Sequence, residues 1–157
     1  MLDFEFEKAD SVDGAVSALK ADSDAKLLAG GQSLVPVLKM DFAEPSKLIS
    51  LRGIEGLAEI KEDGNTIAIG AMATHADVER SQVVKSGIPS LAALASGIGD
   101  AQVRNRGTIG RSLAHADPAA DYPAAVMGYK TQIITDSRMI DGDSFFTGRF
   151  ETALIPG

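Results

Sequence analysis

The chain has 157 residues, enough for one compact domain or two small lobes that share a core. Its net charge of −7 argues against a nucleic-acid partner, because neutralising phosphates requires a basic face. It contains no cysteine and only two histidines, so it cannot ligate an iron-sulfur cluster through thiolates, and we predict no metal site. No apolar run could span a bilayer and the start lacks a secretory pattern, so we predict a cytoplasmic protein with no membrane span.

The first fifty residues alternate strand and helix signals. Either Asp10 or Ser11 could cap the first helix, and Pro36 suits the first turn of the second. The predicted elements are strands at 1–8, 26–29 and 48–51 and helices at 12–19 and 33–40. This rhythm predicts a small parallel α/β lobe over residues 1–52.

A different pattern begins after residue 52. Asp63-Gly64 predicts the turn of an antiparallel hairpin, Thr74 with Asp77 resembles a capping box, and Pro89 can start a further helix. Two helices are therefore expected after the hairpin. A second strand pair, at 130–135 and 138–140, turns near residue 136, and three bulky side chains near the end should supply apolar contacts: Phe145, Phe146 and Phe150. Residues 53–157 are thus predicted to form a larger lobe with a mainly antiparallel sheet and helices, which makes the fold class α+β.

Common catalytic and nucleotide-binding signatures fail on inspection. Gly97-Ile98-Gly99 begins like a dinucleotide fingerprint, but Gln102 replaces the third glycine and the segment closes a helix. The segment 31–35 lacks the closing glycine of a nucleophile elbow, and no Gly-Lys pair forms a P-loop. We assign no catalytic residue. His75 and His115 are interpreted as groups that cap a turn or contact a phosphate.

Two loops remain that combine glycines with small polar residues, a composition typical of anion sites. Glycines let a phosphate approach the main chain, and we expect both loops to aim free backbone N–H groups at it. Arg104, Arg106 or Arg111 could add positive charge. The loops are Ala29-Gly30-Gly31-Gln32-Ser33 and Gly107-Thr108-Ile109-Gly110-Arg111-Ser112.

Each feature taken alone has a plainer interpretation. Gly30-Gly31 is the kind of pair that turns the chain out of a strand. Asp121 stands where it could cap a helix before Tyr122 instead of contacting a ligand hydroxyl. Only the combination of the segments favours a binding site.

Three segments, in this order, resemble the FAD-binding family shared by the medium subunit of carbon monoxide dehydrogenase and the flavin domain of xanthine dehydrogenase. They are LLAGGQSLVP (27–36), IGAMATH (69–75) and VRNRGTIG (103–110), the last continuing into DPAAD (117–121). The resemblance covers nearly the whole chain. It implies a two-lobed flavin domain in which the FAD diphosphate lies between the two loops and Asp121 reaches a cofactor hydroxyl.

The resemblance also implies a set of cofactor-binding residues. They are Ala29, Gly30, Gly31, Gln32, Ser33, Thr74, Gly107, Thr108, Gly110, Arg111, Ser112 and Asp121. Where the family has a further glycine after Gly110, this chain has Arg111, which could crowd the phosphate or pair with it. The family's C-terminal domain is not in this sequence, so we expect either a fragment or a truncated product that binds FAD more weakly than a longer relative.

The function implied by the resemblance is that of an FAD-binding electron-transfer subunit of a molybdenum hydroxylase. Electrons would pass between the iron-sulfur clusters of a partner and an external acceptor. The implied partners are a molybdopterin-binding large subunit and a 2Fe-2S small subunit. The alternative is a non-catalytic scaffold that has lost tight flavin binding. Nothing in the residues identifies the substrate or the terminal acceptor.

Overall fold

The computed structural model describes residues 3–155, and its first part is a three-stranded parallel sheet. The sheet order is β1-β3-β2, as the α/β rhythm predicted. The predicted start of the first strand at residues 1 and 2 lies outside the described range. The elements are β1 (Glu5–Lys8), α1 (Val12–Ala21), β2 (Lys26–Leu28), α2 (Leu34–Lys39) and β3 (Lys47–Ser50).

Helix α1 packs against this sheet and forms a small core with it. It begins at Ser11, whose side chain accepts a hydrogen bond from the backbone N–H of Gly14, so Ser11 and not Asp10 is the cap. Ala15 is the buried residue of the helix and belongs to a cluster with Ile49, the fully buried centre of β3. Ile54 belongs to the same cluster, and the lobe boundary after residue 52 stays a prediction.

A hairpin and six short helices follow. They are β4 (Ile60–Asp63), β5 (Thr66–Ile69), α3 (His75–Arg80), α4 (Gln82–Gly87), α5 (Pro89–Ser96), α6 (Ala101–Arg104), α7 (Ile109–His115) and α8 (Tyr122–Gly128). Asp63 pairs with Thr66, so the turn lies at Gly64-Asn65, one residue later than predicted. The expectation of two helices was wrong because polar caps divide the segment: Ser81 ends α3 and begins α4, and Asp100 caps α6.

The last antiparallel strands form two further ribbons. These are β6 (Gln132–Ile134) with β7 (Met139–Asp141), and β8 (Phe146–Gly148) with β9 (Glu151–Thr152). Phe145 is buried as predicted, whereas Phe150 is 53% exposed and packs its ring against His115, 5.2 Å between centroids. Within residues 3–155, no helix has the length and apolar character needed to cross a membrane.

Tyr122 anchors α8 in the larger core, among Val78, Val84 and Phe145. Its side chain is 1% exposed and its hydroxyl has no hydrogen-bond partner within the described chain. Burial, together with the nearby Asp121 carboxylate, raises the pKa of this phenol well above its usual value, so it stays protonated at physiological pH.

Because an unpartnered buried hydroxyl is costly, Tyr122→Phe is expected to leave the free energy of unfolding unchanged or to raise it by about 1 kcal/mol. Tyr122→Ala, the control that also removes the ring, should lower it by about 3–5 kcal/mol. Urea denaturation measures both. A clear loss of stability in the phenylalanine variant would mean that the hydroxyl has a partner in solution.

Candidate functional site

The two glycine loops meet main chain to main chain. A Cβ added to Gly30 would lie 1.5 Å from the carbonyl oxygen of Arg106 and 2.7 Å from its carbonyl carbon. No side chain can occupy that space, so glycine is required. Gly31 has φ +80°, in the left-handed region, and its carbonyl accepts from the N–H of Val35 as the chain turns into α2. The first loop is therefore seated directly on the second.

The second loop is held in turn by the segment that precedes α3. Thr108 forms an isolated antiparallel bridge with Thr74. Around this bridge the N–H of His75 donates to Gly107 O at 3.0 Å and the N–H of Ile109 donates to the carbonyl of Ala73 at 3.0 Å. A Cβ on Gly107 would lie 2.5 Å from Nε2 of His75, so this glycine also permits a close approach.

These bonds change the role expected of the second loop. The backbone N–H of Gly107 donates to Val103 O, that of Ile109 to Ala73 O, and that of Gly110 to Ala71 O. The expectation that both loops present free amides is therefore wrong for these three residues. Their donors hold the loop in place, whereas the backbone N–H groups of Thr108 and Arg111 have no partner in the described chain.

The first loop does present free donors. The backbone N–H groups of residues 30–34 have no hydrogen-bond partner anywhere in the described part of the chain. They belong to five consecutive residues that line a cavity of about 180 Å³. An anionic group is a suitable partner for these amides, because it can accept from several neighbouring N–H groups at once.

Most of the predicted binding residues line this cavity. The lining includes Ala29, Gly30, Gly31, Gln32, Ser33, Gly107, Thr108, Arg111 and Ser112. Thr74 lies instead on a second cavity of about 200 Å³, which adjoins the first because both share Ala29, Gly30 and Thr108. The hydroxyl of Thr74 is bonded to Asp77 in the predicted capping box. Gly110 and Asp121 line neither cavity, and their contact with the cofactor stays a prediction.

Two buried polar side chains face the first cavity without a partner in the described chain. Thr108 is 2% exposed and its Oγ1 makes no hydrogen bond, while His75 is 6% exposed and its Nδ1 makes none. Burial lowers the pKa of His75 below its usual value of 6.5, and the opposing effect of the Asp121 carboxylate is smaller. The imidazole is therefore neutral at pH 7 and can both donate and accept a hydrogen bond.

The three candidate arginines have different roles. Arg104 is used structurally: its Nε donates to Glu79 Oε2 at 3.0 Å, and its guanidinium also donates to two backbone carbonyls. It is therefore not a cofactor cation. Arg106 lines the second cavity and Arg111 the first. Positive charge therefore stands on both sides of the junction between the loops, although the chain as a whole is acidic.

Asp117 also lines the first cavity, although no role was predicted for its side chain. His115 lines the cavity as well, and burial is the main cause that lowers its pKa, followed by the charge of Arg111. The four-residue spacing of Arg111 and His115 could have indicated their proximity, because both then lie on one face of a helix. Asp117 begins the DPAAD segment of the family pattern, although that pattern gave its side chain no role.

Unpaired main-chain donors at a glycine loop, opposite buried hydroxyl and imidazole groups in an α+β fold, define a domain that binds a phosphate-containing cofactor. The chain belongs to the family described as the FAD binding domain in molybdopterin dehydrogenase, which it matches over residues 2–157. FAD is therefore its cofactor.

Named relatives agree with this assignment. The chain is 42% identical to the carbon monoxide dehydrogenase medium chain of Hydrogenophaga pseudoflava, over 96% of this chain and 54% of that one. It is 34% identical to the glyceraldehyde dehydrogenase medium chain of Sulfolobus acidocaldarius, over 99% of this chain and 57% of the relative. The chain thus spans about half the length of the curated relatives that it matches.

Solved structures show the same fold. A carbon monoxide dehydrogenase from Hydrogenophaga pseudoflava superposes with a TM-score of 0.94 at 42% identity, over 99% of this chain and 56% of that one. Quinoline 2-oxidoreductase from Pseudomonas putida 86 gives 0.91 at 32% identity, with the same coverage of both chains. The parallel sheet with separate antiparallel ribbons is therefore also the fold of these matched chains.

Gly30→Ala is expected to lower the free energy of unfolding by at least about 2 kcal/mol, because its Cβ would force the loops apart. Gly128→Ala is the matched control: its Cβ would meet no atom within 4 Å, and alanine suits a helix better than glycine. Urea denaturation compares them. Equal stability of the two variants would contradict the close contact of Gly30 with Arg106.

The lowered pKa of His75 predicts a loss of stability in mild acid. Below pH 6.5 the unfolded chain binds a proton on this residue more readily than the folded one, so protonation favours unfolding. His75→Gln should therefore flatten the decrease in unfolding free energy between pH 7 and pH 5. Asp121→Asn, which removes a charge that raises this pKa, should extend the decrease to lower pH. Denaturant titrations across that range test both, and unchanged profiles would contradict the prediction.

Proposed function

We propose that this chain is the FAD-binding, electron-transfer part of a molybdenum hydroxylase. The observation that carries the proposal is the run of unpaired N–H groups at residues 30–34, which line the same cavity as Thr108 with its buried and unpartnered hydroxyl. Such a site needs an acceptor-rich ligand, and the family's cofactor carries a diphosphate. The residues present therefore fit the group that the family binds.

In this proposal the chain's residues bind and orient the cofactor. Residues 30–34 hold the phosphate oxygens through the main chain, while Ser33 and Ser112 stand ready as hydroxyl donors on the same cavity. The neutral imidazole of His75 forms a hydrogen bond to the ligand through Nδ1, which has no partner in the described chain. Each cavity is smaller than the roughly 300–1,000 Å³ that encloses a drug-sized molecule, so each suits only part of a dinucleotide.

When bound, FAD supplies the ability to accept and release electrons, and the protein supplies position and electrostatics. No side chain of this chain has to act as an acid or base in that task. The lack of cysteine means that iron-sulfur clusters must be held elsewhere. We therefore place this chain beside a 2Fe-2S small subunit and a molybdopterin-binding large subunit in the cytoplasm, passing electrons from the clusters to an external acceptor.

Thr108→Val provides a sharp test of this function. Valine has nearly the shape of threonine and removes a hydroxyl that has no partner in the described chain, so the apoprotein should be as stable as the wild type or slightly more so. FAD affinity should fall by roughly ten- to a hundredfold, the worth of one hydrogen bond to a charged group. Quenching of flavin fluorescence measures the affinity, and thermal unfolding measures the stability.

Thr66→Val is the control. The hydroxyl of Thr66 donates to the carbonyl of Asp63 at the hairpin turn, and the residue lines neither cavity. It should leave FAD affinity unchanged. If the wild-type chain is colourless after purification and no added FAD binds, the electron-transfer role is refuted and the scaffold is the better account. Equal affinities in the wild type and Thr108→Val would remove this residue from the site.

A further inference from the structure

Arg111 is the residue at which this chain departs from the glycine of the family pattern, and the two roles considered for it were obstruction and pairing. It is the third residue of α7 and lines the same cavity as the free amides of the first loop. The guanidinium is half-buried, and burial lowers its pKa, although it remains charged at neutral pH.

No carboxylate lies within ion-pair distance of Arg111 in the described range 3–155. The other cations of this range that lack such a partner are all exposed, whereas Arg111 is half-buried. The cations Lys47 and Arg104 do have such partners, Arg104 while keeping a side chain only 20% exposed. A half-buried charge without a counter-charge is costly. An anion that enters the cavity is therefore attracted by a guanidinium that no carboxylate already neutralises.

The other groups around the cavity complement this charge. The N–H groups of residues 30–34 and the hydroxyls of Thr108 and Ser112 have no hydrogen-bond partner in the described chain. Asp117 is the one acid of the lining, and its Oδ1 already accepts from the backbone N–H of Ala119 at 2.9 Å. The cavity therefore suits an acceptor with several oxygens, and a guanidinium can bind two oxygens of a phosphate at once.

We propose that Arg111 pairs with the diphosphate of the bound dinucleotide and makes its affinity depend on that charge. The inference rests on the proposed function, since it names a further residue of the same site. Of the two roles open to the Arg111 side chain, it pairs with the phosphate and does not crowd it. Arg111 lies on the cavity wall and favours a ligand that carries negative charge. Because salt screens that attraction, the affinity for FAD falls as the salt concentration rises.

The test compares Arg111→Gln, Arg111→Lys and Arg80→Gln by flavin fluorescence titration at several salt concentrations. At low salt Arg111→Gln should weaken FAD binding by roughly ten- to a hundredfold and flatten its salt dependence. Arg111→Lys should be intermediate, because it keeps the charge and loses the planar fork. Arg80→Gln, an exposed change of the same charge on α3 away from both cavities, should stay within about twofold.

A second measurement separates this inference from the function on which it rests. Inorganic diphosphate should raise the thermal midpoint of the wild type and have less effect on Arg111→Gln. If FAD fails to bind but diphosphate still distinguishes the variants, the function falls and the anion contact stands. If FAD binds wild type and Arg111→Gln equally, or the variant more tightly, with the same salt dependence, pairing is refuted. Arg111→Lys provides the comparison should the glutamine variant not fold.

Discussion

The contact between the α-carbon of Gly30 and the carbonyl of Arg106 is the constraint on which the site depends. Two loops separated by more than seventy residues touch there without an intervening side chain. The contact joins the segment that leaves β2 to the segment that enters α7, and both cavities share Gly30 in their linings. Bulk at this position would change the shape of both. The glycine is therefore required by the close approach of two backbones and not only by the turn.

The loops divide the work of binding between them. In the second loop the amides of Ile109 and Gly110 donate to the segment before α3, which fixes the loop's position, and Thr108 is buried with an unpartnered hydroxyl. The first loop keeps its amides free and is held by the Gly30 contact and the turn at Gly31. The side chains of the second loop thus line the same cavity as the unpaired backbone N–H groups of the first loop. A ligand with several acceptor oxygens can bond these donors in place of water, because the first loop is partly exposed.

The charge near the two cavities differs in sign from the net charge of the chain. The chain carries a net charge of −7, yet Arg106 and Arg111 stand on the two cavities while the chain's other charges largely face solvent or one another. Because charges screened by water act over about one Debye length, distant surface carboxylates do little to oppose an anion held beside a half-buried guanidinium. Global charge argues against nucleic acid as a partner class but carries no information about this site.

The sequence alone determined the parts that depend on short-range chemistry. The parallel strand rhythm, the Thr74 and Asp77 capping box, the Pro89 helix start and the glycine loops are all legible from neighbouring residues, and the family resemblance followed from those motifs. Tertiary structure decided which donors are free: Gly110 has the same local chemistry as Gly30, but its N–H is consumed by Ala71. It also decided that Arg104 is structural and Arg111 is not, because a side chain's partner is set by whatever the fold brings near it, and Glu79 lies 25 residues away along the chain.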